Sequence, residues 1–142
     1  VYVIEGGDES SFWSEIRDLP GGDAEEGRAV CKAGVVINEV PAVFKALEMF
    51  GELGVTALAS ARAGNGIVAV TLHGDNPALV SAIDSLRMVA ESGGGTLVIN
   101  DAPPGVKSAA GVWGDIGSGY SMMKRIKSGF DPFNILNPGR LV

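Results

Sequence analysis

The sequence predicts an α+β fold in which an antiparallel sheet carries helices on one face. Three observations carry that expectation. Between residues 28 and 100, strand-like and helix-like segments follow in the order strand, helix, strand, strand, helix, strand. The two middle strand-like runs are joined by Gly64-Asn65-Gly66, and Asn-Gly between such runs is a strong hairpin signal. Both helix-like segments carry an apolar stripe at 3.6-residue spacing. The composition suits a folded domain, with 46% hydrophobic and 20% charged residues.

The elements follow in order. Val1–Ile4 reads as a strand end, so the chain is expected to be a piece of a longer protein. Gly6–Ser11 reads as a short link. Ser10 or Ser11 can cap a helix over Phe12–Leu19, which Pro20-Gly21-Gly22-Asp23 ends in an acidic loop. Arg28–Val36 is rich in β-branched residues and reads as a strand. Asn38 is a candidate cap, with Pro41 early in the next helix. Val43, Phe44, Leu47, Met49 and Phe50 form that helix's stripe, and Gly51 and Gly54 stop it. Val55–Ala61 and Ile67–Leu72 are the hairpin strands, with both turn positions free to take positive φ. Asp75 or Asn76 caps a helix that Pro77 opens and that runs to about Glu91. Gly93-Gly94-Gly95 ends it before a fourth strand, Thr96–Ile99.

This βαββαβ order is the split βαβ, or ferredoxin-like, pattern. Its sheet has one face free of helices. Val35, Val36, Ile37 and Val68, Ala69, Val70 make the strands apolar on both faces in places, which points to a partner surface. Residues 101–119 read as a loop around Val112-Trp113, with Trp113 packing it. Tyr120–Ser128 reads as a helix ended by Gly129. Its Met122, Met123 and Ile126 are expected in a core, and Lys124, Arg125 and Lys127 at its C-terminal end. Asp131-Pro132 then starts a single turn, and Asn137-Pro138-Gly139 makes a tight reversal before an extended end. The expected organisation is a leader over 1–27, a ferredoxin-like core over 28–100, and a loop, helix and docking tail over 101–142.

Charge and cysteine exclude several functions. Net charge is −6, but residues 1–27 hold eight acids against one arginine, and residues 28–142 hold nine acids against ten bases. The body is nearly neutral and lacks the basic face that nucleic acid needs. One cysteine, Cys31, excludes an internal disulfide and a cysteine-based zinc site, and it reads as a small buried hydrophobe. The single histidine, His73, reads as structural, so no metal site is expected. No apolar run is long enough to span a bilayer. No signal peptide is visible, so the protein is expected in the cytoplasm, at most peripheral to the inner membrane. Gly114-x-x-Gly117-x-Gly119 lacks the spacing and preceding strand of a dinucleotide fingerprint.

The tail carries a resemblance. Met123-Lys124-Arg125-Ile126-Lys127, then Phe130-Asp131-Pro132, then Ile135-Leu136-Asn137-Pro138-Gly139-Arg140, resembles the C-terminal signature of FAD-linked oxidases of the vanillyl-alcohol-oxidase type. Ala61-Arg62-Ala63-Gly64-Asn65-Gly66-Ile67-Val68 resembles that family's His-x-Gly-x-Gly hairpin stretch, and Phe12-Trp13 with Ile16-Arg17-Asp18 resembles the short helix before the cap sheet in the E-type subunit of glycolate oxidase. The resemblance implies a C-terminal cap domain over the flavin of a longer parent, whose N-terminal domain binds FAD and receives the tail. The parent's reaction would be oxidation of a 2-hydroxy acid such as glycolate to a 2-oxo acid. Partners would be that FAD domain, a hydroxy-acid substrate and the catalytic flavin and iron–sulfur subunits of a glycolate oxidase complex. Arg62 and Asn65 would be substrate-binding, because a guanidinium suits a carboxylate. Asn137 and Arg140 would reach the flavin. Catalytic members with a divalent metal carry His at the positions of Arg62 and near Ala69, and an acidic-His-Gly stretch near Ala109–Gly114. The departures favour the E-type subunit and an isolated fragment without activity. The alternative is a stand-alone ferredoxin-like regulatory or ligand-binding module that dimerises through its sheet.

Overall fold

The computed structural model describes residues 5–18 and 27–140. The expected strand over Val1–Ile4, the Pro20–Asp23 loop and the extended end at Leu141-Val142 lie outside those residues. The described chain forms two compact units, one ending at Val112 and one beginning at Trp113.

In the first unit, α1 spans Gly7–Asp18. It starts five residues before the expected Phe12, so Gly6–Ser11 is not a link and neither serine is its cap. Asp8 and Glu9 fall in the first turn, where the helix dipole favours acids. Strand β1 covers Arg28–Gly34. Val36 and Ile37 lie beyond it, and the chain passes through a 3₁₀ turn at Ile37–Glu39 into α2, Val40–Glu48. Asn38 therefore sits inside the 3₁₀ turn and does not cap. A second 3₁₀ segment, Met49–Leu53, absorbs Gly51, and the stop comes at Gly54 with φ +72°. Val43 and Phe50 of the expected stripe are buried, while Phe44 and Met49 are exposed.

Strands β2 (Thr56–Arg62) and β3 (Ile67–His73) form the hairpin. Its turn is a 3₁₀ segment, Ala63–Asn65, followed by Gly66 at φ +68°. Only Gly66 takes positive φ there, so the turn is longer than an Asn-Gly pair alone would make. Helix α3 spans Asn76–Ser92, and the Asp75 carboxylate accepts from the Ala78 amide at 2.8 Å, the expected cap. Strand β4 covers Thr96–Asp101.

The four strands form one antiparallel sheet in the order β2-β3-β1-β4, which confirms the α+β, βαββαβ reading. Strand residues alternate between faces. Ala29, Cys31 and Ala33 of β1, Val68, Val70 and Leu72 of β3, and Leu97 and Ile99 of β4 point into a core closed by Val43, Leu79, Ile83 and Leu86 of the helices. The apolar pairs that suggested two buried faces resolve otherwise: Val68 and Val70 are core, Ala69 faces the open side, and Val36 and Ile37 have left the sheet.

A further helix, α4, spans Pro104–Ala110 where a loop was expected. Pro104 occupies the first helical position, where its missing N–H costs nothing, and Val106 and Ala110 bury one turn apart. The Arg87 guanidinium from α3 donates to the carbonyls of Ala110 and, at 2.6 Å, of Gly111, holding the end of α4.

In the second unit, α5 runs Tyr120–Phe130, two residues past Ser128, so Gly129 does not end it. Lys124 and Arg125 therefore lie mid-helix, while Lys127 stays in the last turn, as expected. Met122, Met123 and Ile126 are exposed, which corrects their assignment to a core.

Candidate functional site

The open face of the sheet carries a cleft of about 450 Å³. Its floor follows from register. Ala69 of β3 stands between Lys32 of β1 and Ser60 of β2, and one pleat on, Ile67 stands between Gly34 and Arg62. Asn100 of β4 closes one end, and Trp13, Ile16 and Arg17 of α1 form a wall. The sheet thus sets two long cations, Lys32 and Arg62, around a floor of small and aliphatic side chains.

The cations differ in their partners. Arg17 donates to both oxygens of Asp18, at 2.9 and 3.3 Å, and that pairing lowers the Asp18 carboxyl below its ordinary value. The Lys32 and Arg62 side chains have neither an ion pair nor a hydrogen bond among the described residues. Among the described residues, no aspartate or glutamate lines the cleft. A cleft whose described lining carries cations and no carboxylate is suited to an anionic ligand.

Arg62 was expected from sequence as a substrate-facing cation, and it does line this cleft. Asn65 does not: its side-chain oxygen accepts from the Ile67 amide at 3.3 Å, which organises the turn beyond β2. Lys32 was missed, because a single lysine in a strand has no local signal and only the register of β1 against β3 brings it towards Arg62. Cys31, its neighbour on the opposite face, is fully buried, and that burial pushes its thiol up to about 12. A nucleophile's environment lowers a thiol, so Cys31 is a core residue as expected. His73 ends β3 and is exposed, away from the cleft lining.

The second unit holds the other two expected site residues. Asn137 takes φ +46° and its carbonyl accepts from the Arg140 amide at 3.3 Å, which forms the predicted reversal. The Trp113 indole donates to the Arg140 carbonyl at 2.7 Å, so Trp113 ties this end of the loop to the reversal. Both Asn137 and Arg140 present exposed side chains. Asp131 organises the segment between them and α5. Its carboxylate accepts from Lys127 Nζ at 2.7 Å and from the Ile135 and Leu136 amides at 2.9 Å each. Around this polar hub, Phe130, Phe133, Ile135 and Leu136 are exposed.

Comparison with known proteins adds one finding. The family described as FAD linked oxidases, C-terminal domain, matches residues 107–141, about a quarter of the chain, and this supports an FAD-linked oxidase C-terminal domain. The matched stretch contains the whole 123–140 signature. No curated protein matches the chain. None of the described helices is long and apolar enough to cross a membrane.

Proposed function

We propose that this chain is the C-terminal cap of a longer FAD-dependent oxidoreductase of the vanillyl-alcohol-oxidase type, closest in kind to the E-type subunit of glycolate oxidase. Its parent oxidises a 2-hydroxy acid such as glycolate to the 2-oxo acid. The observation that carries this reading is the composition of the cleft. Arg62, at the position of one histidine of the resembling metal-dependent enzymes, and Ala69, near the position of another, both line it. The 107–141 match supports the same reading from an independent segment.

In this scheme the open sheet face turns toward the substrate side of the flavin. Arg62 takes the substrate carboxylate, two donors to two oxygens. The hairpin turn pinned by Asn65 holds the strand from which Arg62 projects. FAD, bound mainly by the N-terminal domain, supplies the hydride acceptor. Asn137 and Arg140 offer the cofactor exposed side chains, an amide and a cation suited to polar atoms at its edge. The exposed apolar ring of the second unit is the surface that docks on the FAD domain.

The test is anaerobic mixing of the intact parent flavoprotein with glycolate and with lactate. Loss of oxidised-flavin absorbance is the expected result. Arg62→Gln should raise KM for the acid about 10- to 100-fold, the loss of one charged hydrogen-bonded contact. A parent that carries no flavin, or an isolated chain that purifies yellow with stoichiometric flavin, refutes the proposal.

A further inference from the structure

We propose that the open-face cleft is a two-cation site for an organic dianion, with Arg62 holding one anionic group and Lys32 the other. The inference rests on the cleft as the anion-binding surface proposed above, and not on how flavin is bound. Register fixes the spacing. Lys32 and Arg62 lie two strands and one pleat apart, with Ala69 and Ile67 between them. Strand separation of about 4.8 Å and a rise of about 3.4 Å per residue put their Cα atoms roughly 12 Å apart. Side chains of that length can converge across the gap on two groups joined by a short carbon chain. Gly34 and Ala69 keep the intervening floor low, and Ser60 and Asn100 add neutral hydrogen-bonding groups.

Charge accounting points to two anionic groups. Asp18 already matches Arg17. Among the described residues, the Lys32 and Arg62 side chains are unmatched and the lining offers no acid. A hydroxy acid with one carboxylate satisfies one cation and leaves the other facing an aliphatic floor. A two-carbon acid also fills only a small part of about 450 Å³. A dicarboxylate and a phosphorylated acid share the required chemistry.

Calorimetric titration of the intact protein with lactate, malate and 2-phosphoglycolate at matched ionic strength tests this. At least one dianion is expected to bind tenfold or more tightly than lactate, and the pair identifies which anionic group the site prefers. Lys32→Gln should bring the ratio of dianion to lactate affinity close to one, while Arg62→Gln should weaken all three ligands. Equal affinity for lactate and both dianions overturns the two-cation site and leaves the carboxylate reading of Arg62 standing. A dianion preference that survives Lys32→Gln overturns it in the same way. Absence of binding by all three ligands overturns the dianion site and the anion-binding cleft together, whatever the flavin measurements show.

Discussion

At the residue scale, Asp131 shows how one carboxylate can organise a turn that has no apolar core. It is buried and accepts from a lysine and two amides. The Lys127 hydrogen bond first, and then the two amides, hold its carboxyl below the ordinary 3.8. A carboxyl depressed in the folded state stabilises it above the unfolded value, and that contribution is lost as pH falls through the lower folded value. The 131–136 segment should therefore stay closed near pH 5 and open only in acid below 3.8. The Ile135 and Leu136 amide resonances should report one shared midpoint there, and Asp131→Asn should abolish that transition. Cys31 makes the complementary case. Its thiol is raised from 9.0 to about 12, so the native chain should resist thiol reagents at pH 8 and react once unfolded. Cys31 and Asp131 were both legible in sequence, one by its apolar neighbours and one by its place before Pro132. Lys32 was not, because its meaning lies in a strand pairing.

At the element scale, legibility tracked how local the signal was. The Asp75 cap and Pro77 placed the start of α3 to within a residue. Asp75→Ala should cost about 1 kcal/mol in chemical denaturation. Helix α4 was hidden because Pro103-Pro104-Gly105 has the composition of a loop, while the forces that fold it are distant: burial of Val106 and the two carbonyls held by Arg87. The hairpin was legible as a hairpin but not in its turn type. There the decisive contact is tertiary. A Cβ on Gly66 would sit 1.9 Å from the Val35 carbonyl oxygen, and the same backbone brings the Val35 amide to the Gly66 carbonyl at 2.9 Å. Gly66→Ala should therefore destabilise by more than the about 1–3 kcal/mol that positive φ alone costs. Gly64→Ala, with open space around it, should be nearly silent.

At the scale of the whole molecule, the two units differ in how they can be stable. Among the described residues, the apolar core lies between Ala29 and Ala110. The second unit, over its described residues, buries only Asp131, and it exposes Phe130, Phe133, Ile135 and Leu136. A segment with exposed aromatic and aliphatic side chains and no core cannot offset its own ordering entropy by burial. Its order near Asp131 comes from hydrogen bonds, and its apolar surface calls for cover. Removing residues 113–142 should then leave the cooperative unfolding of the first unit within about 1 kcal/mol of the intact chain, because no residue of the described core is removed. Under the proposed function, in which the tail docks on the FAD domain of a longer flavoprotein, the same surface should behave differently in that intact parent. Phe133→Asp and Leu136→Asp should leave the first unit's unfolding unchanged but weaken docking of the tail, read as faster amide exchange at Ile135 and Leu136 and as release of flavin. If flavin retention and exchange are both untouched by these two substitutions, the tail does not dock on the FAD domain. Its apolar ring would then have to serve another surface.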